Sequence, residues 1–232
     1  ATQIGTTKSA AYFLQMALTN KEGTNGMIRT NVKDYLARSL SRSKSTVIPY
    51  VTMKEMPDQP ITSDGEQKEN FEFDMSSTLV FNHDKAEILK DFQAETLALF
   101  LTKSTYGALD YESPEGERVE FRILNKNVDS KAKGRKVSAE IELVVELLDV
   151  QFIDTDKVLT GADKQIREAA DALAKKIENT LKELFEISKA WNIDFLGLQA
   201  KAYQSVGRTL EEDCLNTLSF EPKVELKVKE TA

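Results

Sequence analysis

The chain has 232 residues, 41% hydrophobic and 30% charged, with a formal net charge of -7 and a pI near 5.0. That length is enough to bury a sizeable core. Its longest apolar run falls far short of a membrane-spanning helix, and its acid excess argues against nucleic acid as a partner, because phosphate binding rests on Lys and Arg. The stretch from Ala1 to Ala17 lacks the charged-then-apolar plan of a secretory signal.

In chain order, the first expected elements are a helix at Thr7 to Leu18, a glycine-marked turn at Gly23 to Gly26, and a helix carrying Val32, Tyr35, Leu36 and Leu40 on one face. The apolar segment Thr46 to Val51 follows, and Pro49 restricts it to an edge strand or a short extended piece. Residues Met56 to Asn70 combine two prolines, a glycine and many charges, which reads as a linker or long loop. So little apolar surface before the linker would be marginal alone. Residues 1–65 therefore read as a partial small α/β region, the C-terminal part of a preceding domain followed by its linker, and 66–232 as the main domain.

After the linker the period becomes two. Phe71, Phe73, Met75, Ser77, Leu79 and Phe81 alternate with Glu72, Asp74, Ser76, Thr78 and Val80 as in a half-buried strand. Asp91 to Leu101 fits a helix or a strand equally. Val119, Phe121 and Ile123 alternate after a turn at Pro114 to Gly116, and Val137 to Leu147 forms the longest alternating run, a central antiparallel strand with one face in the core. The basic run Lys131 to Lys136 lies between two strand patterns around Gly134. A solvated hairpin tip is the plain reading of it, and contact with anionic lipid headgroups the sharper one.

The last third opens with a long amphipathic helix from Ala162 to Ala190. Ile166, Ala170, Leu173, Ile177, Leu181, Leu184 and Ser188 recur at steps of three and four, and Thr160 with Asp163 resembles a capping box. Such a helix spans roughly 40 Å, long enough to lie along a sheet. The junction Trp191 to Leu198, a shorter helix or turn, and a closing strand Val224 to Val228 complete the order. Strands followed by a helix predict an α+β fold, an antiparallel sheet packed by the long C-terminal helix.

Few residues suggest chemistry. No Walker A or Gly-x-Gly-x-x-Gly pattern is present. His83 is the only histidine, so multi-histidine metal sites are excluded and any Ser-His-Asp or Cys-His catalysis would depend on one ring in a turn. Asp154-Thr155-Asp156 lacks the glycine and distal glutamate of a calcium loop. Glu115 with Glu117 and Glu211 with Glu212 lie in polar contexts without apolar walls to raise a pKa. Cys214 has three acidic neighbours, which disfavour a thiolate. Trp191 and Phe195, flanking Asp194, fit either a ligand-stacking platform or core packing. No catalytic, cofactor-binding or metal-binding residue is expected.

The order of segments resembles the C-terminal region of the spore-germination receptor C subunits, the Ger(x)C lipoproteins. The likeness is carried by Leu79-Val80-Phe81 followed by Lys85 to Leu89, by Glu95 to Leu101, by the strand Ser138 to Leu147, by Ile193-Asp194-Phe195-Leu196-Gly197-Leu198, and by the closing Val224 to Lys229. Val47-Ile48-Pro49 is similar to the close of the family's preceding domain. The family's Pro-x-x-Trp and second tryptophan are replaced here by Ser205 to Leu210 and Leu215 to Phe220, so helix packing there is expected to differ.

The resemblance implies a non-enzymatic, lipid-anchored subunit on the outer face of the spore inner membrane. There it would work with integral membrane A and B subunits in sensing nutrient germinants. It also implies an N-terminal lipid-modified cysteine after a signal peptide, and a first domain, none of which this chain carries, so a soluble fragment is expected. A small-ligand (germinant) binding lipoprotein domain is the alternative, and a hydrolase using His83 a third.

Overall fold

The computed structural model describes residues 28, 30, 32–41, 44–55, 71–102, 107–114, 116–151, 162–206 and 214–229. The expected helix at 7–18, the turn at 23–26, the linker at 56–70, the loop at 154–156 and the capping pair's Thr160 lie outside the described residues.

The described chain runs α1 (Val32–Ser39), β1 (Thr46–Glu55), β2 (Phe71–Phe81), β3 (Ala86–Leu89), α2 (Asp91–Leu101), β4 (Ala108–Glu112), β5 (Arg118–Lys133), β6 (Lys136–Gln151), α3 (Ala162–Trp191), α4 (Leu198–Val206), a 3-10 turn (Leu215–Thr217) and β7 (Ser219–Val228). The strands form two sheets, ordered β1-β2-β3 and β4-β5-β6-β7. This is the expected α+β architecture with a long C-terminal helix. Asp91 to Leu101, ambiguous by period, is a helix, and five of its last six residues are apolar and all but Leu101 are buried.

In the small sheet β1 occupies an edge, where Pro49 costs no ladder bond because its outer side needs no donor. From Asp74 onward, where its side chains are described, β2 does not set the Phe81 face inward and the other face in water. Thr78 and Val80 are the fully buried positions, while Leu79 and Phe81 are half-buried. The reason is that this strand is covered from both sides. Val80 joins the main core with Val47 and Leu89, and Phe81 meets the Tyr35 ring of α1 at 6.4 Å.

In the large sheet the inward residues of β5 are odd-numbered through Ile123 and even-numbered from Lys126. A register shift between Ile123 and Asn125 adds one residue and flips the parity, which keeps the same face inward. β6 turns Val137, Ala139, Ile141, Leu143 and Val145 to that face, and β7 adds Phe220, Val224 and Leu226. The closing strand starts at Ser219, five residues before the alternating run that marked it, and it pairs with β6 in parallel. A parallel neighbour needs a crossover of a dozen or more residues, which α3 provides.

All seven residues expected on the apolar face of α3 are buried, with Leu173, Leu181 and Leu184 at zero exposure. Full burial of such a side chain contributes about 1.5–3 kcal/mol, so this helix and the sheet beneath it hold most of the hydrophobic stabilisation. Lys126, inward after the bulge, donates to the Leu99 carbonyl at 3.0 Å and to Thr102 Oγ1 at 3.1 Å, closing the C-terminal end of α2. Burial pushes its ammonium down to about 8.

Candidate functional site

The segment Trp191 to Gln199 gathers the polar contacts that connect the two sheets. α3 ends where Asn192 takes a left-handed φ of 54°. The Asn192 N–H then donates to Lys189 O and the Ile193 N–H to Ser188 O, both at 3.0 Å, a Schellman closure. Ser188 Oγ donates to the Ile193 carbonyl at 2.7 Å, so its buried hydroxyl is satisfied within the same turn.

Asp194 follows, 3% exposed. Its Oδ1 accepts the Leu198 N–H at 2.8 Å and its Oδ2 the Gln199 N–H at 3.0 Å, so the carboxyl holds the N-terminus of α4, where unpaired backbone donors favour an acceptor. The Asp194 N–H donates to Ser45 Oγ at 2.9 Å, just before β1. Burial pushes the carboxyl up to about 7, against the opposing pull of the Leu198, Gln199 and Ala200 N–H groups and of Arg38 on α1. The same burial lowers the Arg38 guanidinium, while Asp34 and Asp194 pull it up. Gly197, at φ 73°, completes the turn with its N–H on the Asp194 carbonyl at 3.1 Å. The Asp-x-x-Gly spacing thus has a local cause: an acid that caps α4 and a residue free to adopt a left-handed conformation.

Further ties reach the β2–β3 turn. Asn82 Nδ2 donates to the Asn192 carbonyl at 2.9 Å, while its Oδ1 accepts the N–H groups of Asp84 and Lys85. Lys85 Nζ lies 5.8 Å from the Trp191 ring centroid, and Trp191 meets Phe195 at 6.2 Å. Phe195 is fully buried. The aromatic pair therefore packs where the chain turns. Ser45, Asn82 and Arg38, more than 100 positions from Asp194 in sequence, carry no local pattern that would have singled them out.

The other candidates are scattered. His83 sits exposed in the β2–β3 turn, and no described residue forms a hydrogen bond with its ring. Cys214 is buried before the 3-10 turn. Glu115, Glu211 and Glu212 lie outside the described residues. Glu95, on α2, is pushed up to about 7 by burial and by Asp110, with Lys176 opposing. Among the described residues no group of three or more His, Cys, Asp or Glu side chains could hold a metal ion, and no described helix is long and apolar enough to cross a membrane.

A groove of about 760 Å³ opens between α3 and the start of β7, with Phe185, Leu218 and Phe220 at its base and Lys182, Glu183, Glu186 and Lys189 around it. Phe220 meets Phe185 at 5.7 Å and Phe100 at 6.1 Å, both edge-on, so the base is part of an aromatic cluster.

Residues 76–232 match the model of the family described as spore germination B3/GerAC like, C-terminal. The chain belongs to this family. The matched span begins within β2 and includes the whole Asp194 junction, the groove and β7, so the expected relation to spore-germination receptor C subunits is met. No curated protein matches the chain. Among solved structures, the crystal structure of the GerBC protein aligns with a TM-score of 0.53 at 12% identity, covering 89% of this chain and 65% of GerBC. At that identity the likeness speaks to the fold, and the chain spans about two thirds of GerBC's length.

Proposed function

We propose that this chain is part of a non-enzymatic C subunit of a spore nutrient-germinant receptor, acting through contacts with integral membrane subunits. The observation that carries this reading is the family match over residues 76–232. The Asp194 junction lies inside the matched span, and its hydrogen bonds to Leu198, Gln199 and Ser45 tie α4 to the lead-in of β1. Within this reading, residues 1–65 are the end of a preceding domain and its linker, and 66–232 are the C-terminal domain. The β1–β2 pairing joins the two. The full-length protein is held on the outer face of the spore inner membrane by an N-terminal lipid.

The test is affinity purification of the full-length protein from detergent-solubilised spore membranes. Recovery of both integral membrane subunits is expected, and recovery of neither would overturn the reading. Direct germinant binding is the second reading, motivated by the groove at Phe185 and Phe220. A thermal-shift screen with amino acids, sugars and nucleosides separates the two. A ligand at 100 times its Kd adds about 2.7 kcal/mol, a clear rise in Tm, whereas a subunit acting through protein contacts alone does not respond.

A further inference from the structure

The large sheet has two open edges. On β7 the Ser219 N–H donates to the Arg135 carbonyl and the Lys229 N–H to that of Val145, so the backbone groups of odd-numbered residues face β6 and those of even-numbered residues face outward. Pro222 is among the latter and removes a donor from that edge, which hinders addition of a further strand.

The other edge is the distal half of β5. β4 pairs only with Arg118 to Arg122, and the Ile123 N–H donates to the Gly107 carbonyl, so beyond the bulge no described strand lies on that side. The two-residue turn Gly134-Arg135 closes on the pair Lys133 and Lys136, which in such a turn exchange both backbone bonds. In steps of two from Lys133, the backbone groups of Lys131, Asp129 and Asn127 also face β6, and those of Val128, Ser130 and Ala132 point away from it. Among the described residues no hydrogen bond reaches these outward groups. The three residues are half-buried, and neither proline nor glycine interrupts the stretch. On the face away from α3 stand Asn127, Asp129, Lys131 and Lys133, all exposed.

Two copies joined along this edge by a two-fold axis run antiparallel. With Ser130 on the axis, Asp129 of each copy faces the partner's Lys131, Asn127 faces the partner's Lys133, and Val128 lies opposite the partner's Ala132. Moving the axis by one residue sets Asp129 against the partner's Asp129, or Lys131 against the partner's Lys131, and like charges directly opposed destabilise a strand pair. Charge therefore selects one register. In that register the partner's Gly134 comes opposite Lys126, just short of Ile123, where the contact with the β4 segment begins. The open stretch is thus as long as the hairpin tip that fills it. Within each copy Asp129 pairs with Lys131 at 2.7 Å, an exposed pair weak enough to exchange for the cross-strand ones.

We propose that the distal half of β5 is a self-association edge, at which two copies of this chain join their large sheets about a two-fold axis through Ser130. A contact confined to one strand tip is smaller than a stable interface, so the dimer is weak and reversible. The surface goes beyond the receptor reading and does not depend on it.

The experiment is sedimentation equilibrium of the 232-residue chain over rising concentration, where reversible monomer–dimer exchange is expected. Ser130→Pro removes an outward donor, leaves the bonds to β6 in place, and should abolish the dimer. Lys131→Asp alone should weaken association about tenfold, because both cross-strand pairs turn repulsive. Adding Asp129→Lys to it exchanges the two charges and should restore the parent's association. Circular dichroism confirms that each variant folds, and the charge exchange decides alone if Ser130→Pro does not. A chain that stays monomeric up to about 1 mM would overturn the proposal. So would a dimer indifferent to Ser130→Pro and to Lys131→Asp, which would assign association to another surface, such as the exposed Val32 and Leu36 of α1.

Discussion

Beneath α3 the large sheet buries a continuous face from Val119 on β5 to Leu226 on β7, and nearly every apolar side chain of the helix is out of solvent. The small sheet has only its inner face, Val47, Val80 and Leu89, in that core. Its companion α1 leaves Val32 and Leu36 exposed at 75% and 47%, and Leu40 just beyond it at 82%. The large sheet is held by apolar area, whereas the small one leans on a few directed polar contacts, with Ser45 and Asn82 reaching the α3–α4 junction. Area is spread over many residues, but directed contacts concentrate the stability of a region in a few atoms, so the two sheets should respond differently to substitution.

The largest effect should come from the buried helix face. Leu181→Ala is expected to destabilise the chain by about 2–5 kcal/mol in chemical denaturation. A loss below one kcal/mol would break the comparison at its stronger side. Asp194→Ala comes next, at about 1–3 kcal/mol, since it strips the cap from α4 and leaves two buried N–H donors unpaired. Its sharper signature is regional: hydrogen exchange should accelerate in β1 and α4 while β5 and β6 keep their protection. Uniform acceleration would show that the junction belongs to the large sheet's core and not to a separate seam.

The acid itself sharpens the contrast through pH. Asp194 holds its proton to about 7 in the folded chain, against an ordinary value of 3.8. The folded state therefore binds this proton more tightly than the unfolded one. Its contribution is complete below about pH 4 and is lost as pH rises through about 7. Glu95, raised to about 7, acts with the same sign. Asp194→Asn, which imitates the protonated acid, should gain on the parent chain in Tm between about pH 5 and pH 8. A difference that stays constant over that range would contradict the buried-acid description. The smallest effect should be just past α1, where Leu40→Ser is expected to change stability by less than about 0.5 kcal/mol. A larger loss would show that the exposed ridge is covered in solution.

Much of this was legible in the sequence, for stated reasons. The period of α3 was readable because one helix face meets one core, and every inward residue obeys it. The hairpin tip at Gly134 was readable because turn chemistry is local. The extent of β2 was readable from its period of two, but which face turns to the core was not, because Phe81 is covered by Tyr35 while Val80 enters the main core. The parallel pairing of β7 went unread although strand, long helix and strand already spelled a crossover unit; the antiparallel runs before it set the expectation. Within the junction, Asp194 and Gly197 stood out as a spacing, but their partners Ser45 and Arg38 did not, since such contacts are set by the tertiary fold and leave no trace in neighbouring residues.

The parallel seating of β7 has a consequence for how the molecule is made. Ile141 pairs with Val224, and every other β6–β7 partner is as far apart in sequence, with all of α3 and α4 between them. Contacts of such long range form late, because the entropy of closing the intervening chain must be overcome before they add stability. During synthesis the β5–β6 hairpin can pair as soon as it emerges, but one side of β6 stays an open edge until Ser219 to Val228 has been translated. The nascent protein therefore passes through an interval with a finished hairpin, an unclosed sheet and the aromatic base around Phe220 still absent. Removal of that last strand should trap it there.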